Sequence, residues 1–575
     1  MAQTARAADV GRPGLFNIHW NPVLVMTVVT AAVVGFLALY PTAMLFYGSV
    51  SDAPLGVPGR FSLVNYVKAY ADPETYRLVG TSFVFAAGAA GFSILLATTL
   101  AWITIRTNAP GRGLFELVAL VPNVLPPLLI STSWVLLLNP SVGLINVWLR
   151  VLGLPVLTVY SLPGMIFVEG LILTPLAFLI IGASLRSMDA SLEESARVAG
   201  SPSLQVATRI TLRLIVPALL AAGALNFVRA IESFDTPAVI ALPARIEVLT
   251  TKIFREALGA FPPNHNLAAT YAMSLLGIAL VFVYLYRRIT AVTERFTTVT
   301  GRGYRPQVVD LGPWRYLASA VAVLVLALVV VMPFTILLVT SVLPFVQVPS
   351  LEALRLATFK HYVFIATEPR VLRAIQTSLL LAVSGATIGM VLASVIAYIT
   401  VRTKVAGRGL LEGLVFVPLA FPGTALAIGL LWGYVHFPIP IYATIWILLI
   451  AYVTRFLPFG LRAMTSTMVQ VHRELEESSR ICGGNFVTTF RRILLPLLRP
   501  GFMAGWAILA TTFMREFSTS LFLYTPRSEP IGPLLYHLWI DGQHGRMAAL
   551  GVVVSLTSVL LVAAAGRITR TPLAR

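Results

Sequence analysis

The stretch Leu192–Pro217 reads LEESARVAGSPSLQVATRITLRLIVP, a polar, helix-favouring segment set between two long apolar ones. It occurs twice. Leu475–Pro500, LEESSRICGGNFVTTFRRILLPLLRP, repeats it at an offset of 283 residues, so that Glu194, Gly200, Ile210 and Pro217 fall on Glu477, Gly483, Ile493 and Pro500. Glu193 and Glu194 sit in the first turn of a short helix, where the helix dipole favours carboxylates. Gly200 then stops that helix or lets something approach closely. A second helical stretch, Leu204 to Arg213, leads into the next apolar run. A short helix projecting from a membrane face once per half is what docking onto a twofold partner needs. A plain connector is the alternative.

The surroundings decide the class. Of 575 residues, 57% are hydrophobic and only 11% charged, against about 25% charged in a soluble domain. Helices apolar all round fit lipid better than water. The expected fold is all-α: a polytopic membrane protein. The formal net charge of +18 does not point to nucleic acid, because the basic residues lie in short loops between apolar runs and no basic face with interleaved aromatics occurs. The single cysteine, Cys482, replaces Ala199 of the first copy and reads as a small packing residue; no intrachain disulfide can form. Near the start, the uncharged run from Asn21 to Val50 exceeds the apolar core of a cleaved signal, about 7–15 residues, and predicts a retained membrane helix.

A spanning helix needs roughly 20 apolar residues. Runs of that length predict helices at about 22–48, 78–104, 114–138, 161–185, 213–241 and 266–286, and again at about 314–342, 374–400, 410–435, 441–465, 496–524 and 546–566. Twelve helices place both termini on one side. Arg6, Arg12, Arg106, Arg112, Arg186, Arg197 and Arg209 share it, with Arg287, Arg288, Arg295, Arg302 and Arg305. Arg402, Lys404, Arg408, Arg473, Arg480, Arg491, Arg492, Arg567, Arg570 and Arg575 complete the set. The positive-inside bias makes that side cytoplasmic, and puts both copies of the polar loop there.

The repeat extends beyond the loop. TIRTNAPGRGLFE (Thr104–Glu116) matches TVRTKVAGRGLLE (Thr400–Glu412) at an offset of 296, Pro122 and Pro126 match Pro418 and Pro422, and Tyr66 matches Tyr362. The fall from 296 to 283 means that the second half has lost 13 residues, most readily around Asn139–Tyr160, reduced to His436–Pro440. Six helices per half give both halves the same orientation, related by an axis along the membrane normal. The organisation is then a first unit at 1–290, a basic cytoplasmic linker at 291–312 and a second unit at 313–575.

The pattern Glu-Ala-Ala, three residues, Gly, nine residues, Ile-x-Leu-Pro is the cytoplasmic EAA loop of ABC importer permeases. This sequence is similar at Glu194-Ser195-Ala196, Gly200 and Ile210-Thr211-Leu212, and at Glu477-Ser478-Ser479, Gly483 and Ile493-Leu494-Leu495-Pro496. It departs in Arg213, where the family has Pro, and in Ser for Ala in both copies. Each half resembles one type I permease unit. The resemblance implies that Glu193, Glu194, Gly200, Glu476, Glu477 and Gly483 belong to ATPase-coupling loops that dock onto two copies of a nucleotide-binding subunit, with a periplasmic solute-binding protein on the other face. The chain contains no G-x-x-x-x-G-K-[ST] phosphate loop, so ATP and Mg would belong to the partner, and this chain would be neither an enzyme nor the holder of a cofactor. LEESARVAG, ITLRLIVPAL and the fused length resemble the ferric-iron importer permeases of the bacterial inner membrane most closely; thiamine, phosphonate and sugar-phosphate importers have similar permeases. An ion-coupled secondary transporter is the rival from another class, and a membrane-embedded enzyme a third.

Charges inside the membrane cost about 2.5–3.5 kcal/mol each on insertion scales unless they find partners or water. The fifth predicted helix carries Arg229, Glu232 and Asp235 at i, i+3 and i+6. Its counterpart carries Arg515 and Glu516; Phe234 aligns with Phe517, Arg515 with Glu232, and Ser518 with Asp235. Opposite charges at these related positions can pair across the two halves, as a helix lock or as a gate in a passage for a charged solute. Glu169 and Arg455 are further intramembrane candidates, each read more readily as a packing or interfacial residue. His19, His265, His361, His436, His472, His537 and His544 form no ligand cluster, so no metal site is expected; His537, Asp541 and His544 with Glu529 suit an outer docking surface better. Pro122, Pro126, Pro127, Pro418 and Pro422 predict kinked third helices facing the interior.

Overall fold

The computed structural model describes residues 22–119, 121, 125–188, 191–294, 308–347, 351–435 and 437–569. Arg6, Arg12, His19, Pro122, Arg295, Arg302, Arg305, His436, Arg570 and Arg575 lie outside them. The described chain is helical throughout. The first half contributes α1 (Pro22–Val50), α2 (Pro73–Arg106), α3 (Pro127–Leu137), α4 (Leu162–Ser187), α5 (Ser191–Val198), α6 (Leu212–Glu232) and α7 (His265–Glu294). The second contributes α8 (Trp314–Val342), α9 (Pro369–Arg402), α10 (Gly423–Tyr434), α11 (Ile445–Gln470), α12 (Glu474–Ile481), α13 (Leu495–Met514) and α14 (His544–Thr569), each the counterpart of the element seven places earlier.

Among the described residues ten helices, not the twelve expected, are long and apolar enough to cross a membrane. The third helix of each half is the exception. In place of one helix over 114–138 there is Arg112–Val118 and then α3; in place of 410–435 there is Arg408–Phe416, a 3-10 turn at Val417–Ala420 and then α10. Pro126 and Pro422 are the residues just before α3 and α10, in extended-side backbone. A proline donates no backbone N–H and its ring crowds the preceding turn, so the prolines break these helices rather than kink them.

Lipid offers helices little hydrophobic reason to associate; close backbone approach through small residues supplies it instead. α2 carries buried Ala86, Ala90, Ala97 and Ala101 along one face, and α9 carries Ala382, Ala386, Ala393 and Ala397 at the related positions. These stripes hold α2 against α4 and α6, and α9 against α11 and α13. Buried Asn226 adds a polar tie, donating to Ser93 Oγ (2.8 Å) and the Leu173 carbonyl (3.2 Å).

The halves exchange their first helices. α1 lies on α10 and α8 lies on α3, so each half's first helix covers the other's broken third helix. Tyr40 Oη donates to the Gly433 carbonyl at 2.7 Å, and the rings of Tyr47 and Trp432 meet edge to face at 5.9 Å. At Gly429 an added Cβ would sit 2.3 Å from the Pro41 carbonyl oxygen.

Two features break the symmetry. Between α3 and α4 the first half has a short helix, Leu144–Val151, braced by buried Asn146, whose amide donates to the Leu138 (2.9 Å) and Leu157 (2.8 Å) carbonyls and whose oxygen accepts from Leu157 N–H (2.9 Å). Trp148, Val151 and Leu152 on it are exposed. At the opposite end the described part of the linker folds back on α2: Val309 N–H donates to the Arg106 carbonyl at 2.8 Å, and Asn108 donates to Asp310. The Gly312 N–H and Asn108 together hold the Asp310 carboxyl below the usual carboxylate range.

Gly429→Ala should lower the thermal stability of the detergent-solubilised protein by about 1–3 kcal/mol, the usual cost of overpacking. Gly413→Ala, where an added Cβ meets nothing within 4 Å, should leave it unchanged or slightly raised.

Candidate functional site

The two copies of the polar loop fold alike. α5 and α12 start and stop at an offset of 283, as do the short helices Ser203–Val206 and Phe486–Thr489 that follow. Between them Gly200 and Gly483 take φ of +84° and +81°, the left-handed region that costs a side-chain-bearing residue roughly 1–2 kcal/mol. An added Cβ at either would meet nothing within 4 Å; conformation, not crowding, requires glycine there.

Each loop helix has two faces. Outward, Val198 and Ile481 stand at related positions and are 90% and 86% exposed, with Glu477 exposed nearby. Inward, Glu193 and Glu476 are buried. Glu193 pairs with Arg106, the last residue of α2, and accepts from Thr211 Oγ1 at 2.5 Å. Glu476 Oε1 lies 3.1 Å from Nε of Arg402, the last residue of α9, whose Nη2 donates to the Met468 (3.1 Å) and Val471 (2.6 Å) carbonyls. Taken from water without partners, each of these charges would cost several kcal/mol.

The second constellation lies where the halves meet. Phe234 and Phe517, aligned by the repeat, stack with ring centroids 5.6 Å apart and planes 19° apart. Both are buried. The fifth helix does not run through this point as predicted. α6 ends at Glu232, Ser233 and Phe234 are non-helical, and Asp235 lies beyond the break; α13 ends at Met514, so Arg515 and Glu516 also fall in a break. Arg229, Glu232 and Asp235 therefore do not share one helix face.

Glu516 pairs within its own half: Arg455 Nη1 donates to Glu516 Oε1 at 2.9 Å, and also to Ser518 (3.1 Å) and Thr519 (3.0 Å). Thr519 N–H donates to the same carboxylate oxygen at 2.8 Å. Glu169, on α4, accepts from Ser233 at 3.1 Å. Arg229 lies within electrostatic reach of Glu232, Arg455, Glu169 and Asp235, and Arg515 within reach of Arg229, Asp235 and Glu516. Glu232 keeps one buried carboxylate oxygen with no hydrogen-bond donor. Around the Phe234–Phe517 stack the structure thus gathers Arg229, Glu232, Asp235, Arg515 and Glu516, together with Glu169 and Arg455, the two further intramembrane candidates. His537, by contrast, hydrogen-bonds Tyr524 at 3.0 Å, and Glu529 is held by both nitrogens of the Arg370 fork at 2.7 and 2.8 Å.

The family model for "Binding-protein-dependent transport system inner membrane component" matches twice, over residues 91–299 and 385–571. The chain belongs to this family. It is a multi-pass inner-membrane permease with two units in one polypeptide. It is similar along most of its length to the ferric transport system permease protein FbpB of Actinobacillus pleuropneumoniae, 24% identical over 536 residues that cover 92% of this chain and 75% of that one. A putative ferric transport system permease protein of Haemophilus influenzae is 24% identical over 490 residues, 84% of this chain and 74% of that one. The spermidine/putrescine permease protein PotC of Escherichia coli is 28% identical over 213 residues, 37% of this permease and 80% of its own length.

Removing one partner of a buried ion pair strands the other. Glu516→Leu in this permease should cost about 3–5 kcal/mol of stability, with much of the loss recovered by adding Arg455→Met. Arg186→Ala, at the exposed pair with Glu116, should cost about 0–1 kcal/mol. Thermal unfolding in detergent of all three variants measures the ranking.

Proposed function

We propose that this permease forms the translocation pathway of an ATP-binding-cassette importer whose solute is ferric iron. Two copies of a separate ATPase subunit dock on α5 and α12, and a periplasmic solute-binding protein docks on the opposite face. The end carrying α5 and α12 then faces the cytoplasm, with both termini. The observation that carries this reading is the pair of loop helices: the same length, the same glycine turn, and an exposed apolar residue, Val198 or Ile481, at the same place in each half. Two identical motors need two such seats.

The hypothesised cycle is alternating access. ATP-driven closure of the two subunits pushes the loops at Glu193, Glu194, Gly200, Glu476, Glu477 and Gly483, and the membrane helices reorient around Phe234 and Phe517. Arg229, Glu232, Asp235, Arg515 and Glu516 line the passage there. Ferric iron is favoured by the relatives that span most of the chain and carry that name. It also suits a central cluster in which carboxylates of Glu169, Glu232, Asp235 and Glu516 outnumber the guanidiniums of Arg229, Arg455 and Arg515. Among the described residues no three His, Cys, Asp or Glu side chains converge to hold a metal ion.

Gly200→Asp with Gly483→Asp, reconstituted in proteoliposomes with ATPase subunits and loaded binding protein, should lower ATP-driven uptake about tenfold, equal to about 1.4 kcal/mol of lost coupling. Unchanged uptake would remove the loops from the mechanism, and uptake driven by a proton or sodium gradient without ATP would favour a secondary transporter. Ferric-loaded binding protein should stimulate ATP hydrolysis by the complex; stimulation by a thiamine-, phosphonate-, sugar phosphate- or polyamine-loaded protein instead would reassign the cargo.

A further inference from the structure

The buried pairs at the loop helices are one end of a longer chain of contacts, and it is present in both halves. Arg106, paired with Glu193, ends α2; Arg402, paired with Glu476, ends α9. Along the same two helices, at positions related by the 296-residue offset, lie Ser82 and Ser378. Each uses its hydroxyl oxygen to accept the first N–H of a short helix: Leu249 N–H to Ser82 at 2.9 Å, and Ile531 N–H to Ser378 at 2.8 Å. These short helices, Leu249–Phe254 and Ile531–Ile540, carry the aromatic rings that brace the central stack. Phe254 lies 5.3 Å from Phe234, and Tyr536 lies 5.2 Å from Phe517, centroid to centroid. In the first half Thr250 also donates to the carbonyl of Ser233, in the break itself, at 2.9 Å.

We infer that α2 and α9 are the levers that carry ATPase closure to the Phe234–Phe517 stack, with Arg106–Glu193 and Arg402–Glu476 as the pins that fix the loop helices to them. This rests on the reading of α5 and α12 as docking helices. Ser82 and Arg106 are separated by 24 positions of unbroken helix, about 36 Å at 1.5 Å per residue, and a helix of that length transmits a push along its axis. The pins hold through the stroke because parting them would strand two buried charges. Loop helix and lever therefore move as one body, and the route ends at the aromatic contacts of the stack, which no hydrogen bond or ion pair between the two rings ties together. That is where the motion is released.

The test follows the stack directly. In a Cys482→Ser background, which removes the exposed native thiol, Phe234→Cys with Phe517→Cys is assembled with the ATPase subunits and treated with a short bifunctional thiol reagent. Cross-linking without nucleotide should drop sharply with ATP and vanadate. Adding Glu193→Gln and Glu476→Gln should cut that ATP-dependent change about fivefold or more, the low end of typical coupling factors, with yield normalised to copurified ATPase. Ser82→Ala with Ser378→Ala, far from the docking face, should do the same. The swap Arg106→Glu/Glu193→Arg with Arg402→Glu/Glu476→Arg should restore it. A full ATP-dependent change in the Gln or the Ala variants overturns the lever and leaves the docking reading standing. ATPase that still copurifies in full with Val198→Asp/Ile481→Asp overturns the docking reading and the lever with it.

Discussion

A guanidinium and a carboxylate already taken out of water cannot be parted without stranding two buried charges. That constraint fixes where the loop helices sit. Arg106 and Arg402 end the longest helices of their halves, and each has one buried glutamate as its counter-charge. The loop helices are otherwise short and polar, and short helices are marginal by themselves. Pinned by one face, each is left with its other face free, and that free face carries Val198 or Ile481. The same residues that would make the segment an unstable insertion in an apolar chain are what anchor it.

The central cluster follows a different rule. Its charges are spread over α4, α6, α11 and the two breaks, and one of them, Glu232, is not fully satisfied. The apolar stack of Phe234 on Phe517 sits at the two helix breaks, beside Ser233 in one half and Arg515 in the other.

Much of this was legible in the sequence because the repeat makes a second measurement of every position. The offset alone aligned Phe234 with Phe517 and the two loop helices with each other, and placed the residues missing from the second half between α10 and α11. What stayed hidden has physical causes. The breaks after Glu232 and Met514 have apolar residues on both sides, so hydropathy runs through them. The third helices pass the same test of composition and fail only at their prolines. Arg106 and Arg402 read as topological charges, one pair among many loop arginines, because their glutamates are 87 and 74 positions away. Arg455 looked solitary for the same reason: Glu516 is 61 residues downstream. A partner distant in sequence leaves no periodic trace.

The Asn146-braced segment between α3 and α4 exists in one half only. A strictly twofold mouth would present itself identically after half a turn, and an asymmetric visitor could settle on it in two equivalent poses. A single added ridge of Trp148, Val151 and Leu152 removes that equivalence. Fusing two units in one polypeptide is what allows it, since a homodimer encoded once cannot grow an insertion on one side alone. The end that carries α5 and α12 stays twofold, and the other is free to become handed.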